Sequence, residues 1–358
     1  MPRIVIPLFI VSFLLTLGLI FNWLNLLLLS AFLFQDAYGS GHIILQPTKN
    51  GNNNNNTSTK VIILGFDDSP KSQFTLAKPI LDKYGFKGSF FVVCNYVNAG
   101  SDGRDKTRMT WQDIDTLEEE GHDIESHSMT HTNLDMKSQQ NLIYEIGESK
   151  QCLLDHVGVN PTIFAYPASS GHSNATVVNV VSQYYDLART GDAPLAFLHC
   201  NGYEKDGNNC SLSFDKERKP TYENRYDIRN WSDRPHINHQ DQQRQQYLPL
   251  QEQSSTNISY NDSQMFHQFV QEVNLEENYN KNGCINAIPI VIYHDFVVNS
   301  TLKYLSDKSY TDVGLFSAEM KYLHDNGFKV LKMSDIGYNQ TNNYLYIKVA
   351  ITALIKNC

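Results

Sequence analysis

Four polar clusters in this chain carry side chains suited to metal or acid–base chemistry. Asp67 and Asp68 are adjacent, and His127 and His131 are four residues apart. Tyr166-Pro167 and His294-Asp295 complete the set. One carboxylate and two imidazoles make a three-ligand divalent site with open positions for water, the arrangement of a catalytic metal. A second carboxylate beside the first can act as a base, and a further histidine as an acid. Each cluster alone also has a structural reading. Asp67-Asp68-Ser69-Pro70 fits a turn and helix N-cap, and a lone His294 fits a satisfied structural histidine. Their shared placement favours chemistry, because each cluster directly follows a short apolar run.

Those runs are the elements that must position the clusters. Residues 61–66 (VIILGF), 88–93 (GSFFVV), 123–126, 162–165, 185–188 and 288–293 (IPIVIY) read as strands. Helical spacing follows most of them. Residues 72–84 place Phe74, Ala77, Ile80 and Leu81 on one face, and residues 138–157 place Leu142, Ile146, Leu153 and Leu154 inward. Residues 111–120, 174–183 and 317–326 are further helices, and 328–331 a last strand. Strands alternating with helices predict a parallel sheet or barrel. In such folds functional groups collect at the C-terminal ends of the strands, so the four clusters are expected on one face.

The flanks differ in character. No charged residue occurs from Ile4 to Gln35, a run longer than the ~20 residues that span a bilayer. With Arg3 on its N-terminal side, residues 1–36 read as a membrane anchor or a signal peptide, so the remainder is expected outside the cell or secreted. Residues 37–60 form an Asn-rich linker. The catalytic domain is expected over 61–340, with a polar insertion at 199–285, and a packed C-terminal element at 341–358. The pattern N-x-[ST] occurs nine times, including Asn174, Asn230, Asn257 and Asn299, and suits a glycosylated exterior. The formal charge of −9 argues against a nucleic-acid partner. None of the six cysteines forms a C-x-x-C pair, which excludes a zinc knuckle; Cys200 and Cys210 are close enough in sequence to pair in an exported protein.

The clusters resemble the motifs of polysaccharide deacetylases (carbohydrate esterase family 4, the NodB-like homology domain). FDDSP is similar to the first motif, HSMTH with Leu134 to the second and FAYP to the third. DLART occupies the place of the fourth, and IYHD resembles the fifth. The resemblance covers about 61–195 and 286–337. It implies an α/β fold, a distorted (β/α) barrel of about seven strands, and metal-dependent removal of acetyl groups from a polysaccharide. Carried over by position, Asp68, His127 and His131 hold a divalent metal, zinc first among candidates. Asp67 is then the general base and His294 the general acid, with Tyr166, Pro167 and Arg189 toward the substrate. Two departures stand out. Ser69 replaces the usual Gly, and Ala165 stands where many members carry an Arg against the catalytic Asp, a place that Arg189 can take. An O-acetyl esterase and a non-catalytic carbohydrate-binding relative are the alternative readings.

Overall fold

The computed structural model describes residues 60–98, 107–191, 193–198, 225–233, 259–281, 283–298, 304–305, 310–341 and 344–348. All lie in the unit Asn54–Cys358. The expected anchor, residues 37–59 of the linker, the Cys200–Cys210 pairing, Asn257 and Asn299 lie outside the described residues. Among the described residues no helix is long and apolar enough to cross a membrane.

Strands β1 (Val61–Asp67), β2 (Ser89–Val92), β3 (Asp123–Ser126), β4 (Ile163–Ala165) and β5 (Leu187–Thr190) lie parallel and in chain order. Between them run α1 (Lys78–Tyr84), α2 (Trp111–Glu119), α3 (Gln139–Leu142), α4 (Ser149–Val157) and α5 (Ala175–Tyr184). The chain continues through β6 (Leu195–Phe197), β7 (Ile228–Arg229), β8 (Trp231–Ser232), β9 (Ser259–Tyr260) and α6 (Asp262–Val273). It then returns as β10 (Ala287–Tyr293), parallel to β1 on its other edge. Closure depends on one short segment. β7 pairs with β5 and β8 pairs with β10, and only Asn230 separates β7 from β8. The two ends of the sheet are thereby joined into a distorted barrel of about seven staves. Outside the ring, β11 (Asp295–Val297) pairs with β13 (Tyr310–Asp312), and β12 (Tyr304–Leu305) with β9. Helix α7 (Val313–Asp325) packs on α1 and α6. β14 (Lys329–Leu331) lies beside the start of β1, and β15 (Ile336–Asn339) pairs with β16 (Tyr344–Ile347).

Strand alternation sorts the side chains into two layers. Ile62, Leu64 and Phe66 point outward into one core with Phe90, Leu117, Phe316 and Met320. Val61, Ile63, Phe91, Ile163, Leu187, Ile290 and Ile292 fill the barrel interior. Full burial of such a side chain contributes about 1.5–3 kcal/mol. Gly65 lies on the interior face of β1, where a Cβ would come 2.4 Å from the Ile292 side chain. The interior is therefore close-packed up to the level of the polar clusters, which begin at the next inward position.

Local signals account for the helices. Thr110 and Asp113 form a capping box at the start of α2, and Asn174 caps α5. Gly85 and Gly158 end α1 and α4 in the left-handed conformation at φ 67° and 68°. Three expectations are corrected. Leu154 is not inward but 42% exposed, because the π-helical turn Ile143–Glu148 breaks the 3.6-residue phase before α4. Asn230 is no glycosylation acceptor, being 2% exposed inside the barrel wall. The stretch 199–285 is not a plain insertion, since it contains the closing strands β7 and β8 and the helix α6, with Met265, Phe269 and Val273 buried. Leu345 on β16 is fully buried, so the C-terminal segment packs over its described part.

Candidate metal centre and catalytic cleft

The interior register of the barrel delivers most of the site. On β1 the inward series Ile63, Gly65 ends in Asp67; on β10 Ile290 and Ile292 lead to His294. Glu125 on β3 leads to His127, Leu187 on β5 to Arg189, and Ile228 on β7 to Asn230. In each case the inward position nearest the strand's C-terminal end, two residues after an inward neighbour, carries a polar group. All five line one cavity of about 370 Å³ with Asp68, His131, Tyr166, Ser169 and Ser232. At least one residue of each of the four sequence clusters therefore lines this cavity.

Asp68 and His131 are off that register, and backbone strain brings them in. Asp68 and Ser69 have φ of 72° and 56°, and Ser128 and His131 have φ of 70° and 57°. Non-glycine residues in this region are uncommon and concentrate at functional sites. Ser69 thus adopts the backbone conformation that a glycine would take most readily, and its hydroxyl accepts the Val93 N–H at 3.2 Å. The Ser128 hydroxyl accepts the His131 N–H at 2.9 Å. Arg108 donates to the Asp68 carbonyl at 2.6 Å and lies over the Tyr96 ring.

Asp68 Oδ1 lies 3.2 Å from His131 Nε2 and 3.5 Å from His127 Nε2. It is buried and accepts no hydrogen bond from the protein. A buried carboxylate oxygen left over, facing two imidazole nitrogens, is the donor set that a divalent cation satisfies. The tautomer agrees. His127 Nδ1 lies 2.9 Å from the Ala165 carbonyl, which can only accept, so Nδ1 carries the proton and Nε2 keeps its lone pair. Burial pushes the His127 imidazole down to about 3, so it is neutral at physiological pH. Its 3.6 Å approach to Asp67 is therefore no ion pair.

Asp67 is held from the other side. The Arg189 guanidinium makes a buried ion pair with Asp67 Oδ1, stacks over the Phe91 ring and donates to Asn230 Oδ1 at 3.2 Å. The residue expected toward the substrate is 3% exposed and faces the carboxylate at the place left by Ala165. Tyr166 lines the cavity with a buried hydroxyl that has no protein partner, and burial raises its pKa above the usual tyrosine value. Pro167 does not line the cavity; it is buried at the start of the turn Pro167–Ser169, where its fixed φ suits the first position. Asp295 is exposed and accepts from the Ser72 hydroxyl at 2.5 Å, away from His294. Asn230 and Arg108 escaped sequence reading. Asn230 sits in a polar stretch without periodicity, and Arg108 acts through a backbone carbonyl.

A second group of possible ligands, Asp82, Glu120 and His122, is otherwise engaged. The Lys78 ammonium lies 2.7 Å from Asp82 and 2.5 Å from Glu120, and His122 Nδ1 accepts the Gly88 N–H. That group is a salt-bridge network on a cation the chain already provides.

Residues 54–185 match the family model described as "Polysaccharide deacetylase". The chain is 29% identical over 132 residues to a gellan lyase of Bacillus sp, covering 37% of this chain and 5% of that protein. It is 28% identical over 110 residues to YxkH of Bacillus subtilis (strain 168), which bears the name of a polysaccharide deacetylase, covering 31% of this chain and 37% of that one. Among solved structures, the Streptococcus pyogenes deacetylase PplD in complex with acetate superposes with a TM-score of 0.35 at 25% identity. That superposition covers 38% of this chain and 58% of PplD. The chain thus spans less than two thirds of each of these relatives.

Proposed function

We propose, on the premise that residues 54–185 belong to the polysaccharide deacetylase family, that this chain is a metal-dependent hydrolase removing acetyl groups, N-acetyl first, from a cell-surface or extracellular polysaccharide. The observation that carries the reading is the convergence of Asp67 and His294 on the cavity that also holds Asp68, His127 and His131. Asp68, His127 and His131 would hold a divalent ion, zinc by preference, although the donor set also admits cobalt, nickel or manganese. When bound, it supplies Lewis-acid polarisation of the acetyl carbonyl and activation of water.

The chain's own groups supply the rest. Asp67 accepts a proton from the attacking water. Arg189, itself bonded to Asn230, holds one oxygen of Asp67, which leaves the other for the reaction. His294 delivers a proton to the departing nitrogen. An amine leaves far more readily once protonated, so paired base and acid groups suit amide cleavage in particular. The Tyr166 hydroxyl, which lines the cavity without a protein partner, would bond the substrate. The apolar N-terminal run fits delivery of the domain to the outer side of a membrane, as an anchor or a cleaved signal.

Acetate release measured across N-acetylglucosamine oligomers, acetylated xylan and peptidoglycan tests the reading. Release from the N-acetyl substrates supports it. Release from xylan alone replaces it with an O-acetyl esterase, and no release from any substrate by metal-loaded protein replaces it with a non-catalytic binder.

A further inference from the structure

A groove of about 490 Å³ lies beside the segment that carries the two histidine ligands. Its lining includes Val97, Trp111, Met129 and the Cys94–Cys152 disulfide, which give it an apolar floor. The Asn95 N–H donates to the Met129 carbonyl at 2.9 Å, and the Cys94 N–H to the Ser128 carbonyl at 3.2 Å. The backbone between His127 and His131 is therefore shared: His127 and His131 line the catalytic cavity, and Met129 lines the groove.

Along one wall stand Tyr144, Glu148, Gln151 and Asp155, all exposed. Tyr144 and Glu148 come from the π-helical turn Ile143–Glu148, and Gln151 and Asp155 from α4, so both segments contribute to the same wall. Trp111 stacks on the exposed His156 ring at 4.1 Å and 12°. Neither lysine nor arginine lines the groove among the described residues.

These features suit a sugar chain of a particular kind. Ring faces and an apolar floor match the C–H faces of pyranose rings, and amide, phenol and carboxylate groups match their hydroxyls. The carboxylates of Glu148 and Asp155, the latter bonded by the Gln151 amide at 2.7 Å, face a groove with no lysine or arginine in its lining and match an ammonium group. Hydrolysis of an N-acetyl group leaves an ammonium on the sugar, whereas hydrolysis of an O-acetyl ester leaves a neutral hydroxyl. We infer that this groove binds an amino-sugar chain bearing free ammonium groups, the already de-N-acetylated part of the polymer being processed. The inference rests on the deacetylase reading and narrows it to an N-acetylated amino-sugar polymer.

The test is titration calorimetry on the full chain at low salt with glucosamine hexamer, compared with N-acetylglucosamine hexamer. The partner protein is the Glu148→Gln/Asp155→Asn double variant, whose substitutions are exposed and isosteric. The expected result is glucosamine hexamer binding that weakens with added salt and is about tenfold weaker in the variant. Acetate release from an N-acetylglucosamine dimer should be the same in both proteins. Equal affinity of both proteins for glucosamine hexamer, or equal affinity of the native chain for the neutral hexamer, overturns the groove. Native protein that binds glucosamine hexamer through Glu148 and Asp155 but releases no acetate from any substrate overturns the deacetylase reading instead and leaves the groove standing.

Discussion

Arg189 at the end of β5 pairs with Asp67 at the end of β1, across 122 positions of sequence and inside the barrel. The two residues are 3% and 4% exposed, so the pair is made inside the barrel with little water around it. Arg189→Ala is expected to lower stability by about 3–5 kcal/mol, because it leaves a buried carboxylate uncompensated. Arg189→Lys keeps the charge but loses the planar fork that spans Asp67 and Asn230, and should recover only part of the loss. Urea denaturation of the three proteins checks both outcomes.

Removing any one of Asp68, His127 or His131 should abolish tight binding of a divalent ion at neutral pH. Metal analysis after dialysis, on the single alanine variants, is the measurement. Native stoichiometry in His127→Ala would remove the centre from these residues. Chelation of the native protein should abolish acetate release, with recovery on adding zinc back.

The acid–base pair separates from the metal ligands in a different assay. His294→Ala should retain the ion and lose roughly 10²–10⁴-fold in turnover, the range for one acid–base group. Asp67→Asn should behave likewise. Undiminished turnover of His294→Ala on an N-acetyl substrate would reassign the proton to another group on the rim.

The Cys94–Cys152 disulfide closes a loop with a sequence separation of 58 and ties the turn after β2 to α4. Cys94→Ser/Cys152→Ser should destabilise the fold by about 2–4 kcal/mol. Because Cys94 and Asn95 also bond the backbone of the histidine loop, the variant should bind metal more weakly as well. Competition against a chromogenic chelator reports the affinity, and native affinity in a destabilised variant would show that the hydrogen bonds alone position the loop.

Two buried groups should make stability depend on pH in opposite senses, offsetting each other between pH 4.5 and 6.5 and leaving a fall above 6.5 and below 4.5. Burial pushes the Glu125 carboxyl up from 4.5 to about 8, despite its bonds from the Thr162 and Ile163 N–H groups. The folded state therefore prefers the proton, and this contribution is complete below pH 4.5 and lost as pH rises toward 8. Glu125→Gln removes that titration, so its urea midpoint should gain on the native protein across this window. Burial lowers His122 from 6.5 to about 4, and its Nδ1 accepts the Gly88 N–H only when free of a proton. That contribution is complete above pH 6.5 and lost as pH falls toward 4. A native midpoint independent of pH from 4 to 8 would contradict both.

Much of the site was legible in the sequence, and for a local reason. An apolar strand ends where polar side chains begin, so Asp67, His127 and His294 announce themselves at strand exits. Alternation then places them on one inner face. The turn residues around Asp68 and the caps of α2 and α5 are likewise set by neighbours in the chain. What sequence did not reveal depends on partners far apart along it. The resemblance offered Arg189 as a partner for Asp67, but the pair itself is made by the register of β1 against β5, through β2, β3 and β4. Closure by Ile228–Ser232 lies in a polar stretch whose two short strands carry no periodicity of their own. Leu154 turns outward because a π-helical turn shifts the helix phase, and the pairing of Cys94 with Cys152 follows from α4 packing beside the turn Cys94–Tyr96. Periodicity and turn chemistry act over a few residues and can be read from them. Register, closure and cross-barrel charge pairing are decided only when the staves meet, because their energies belong to contacts that the unfolded chain does not make.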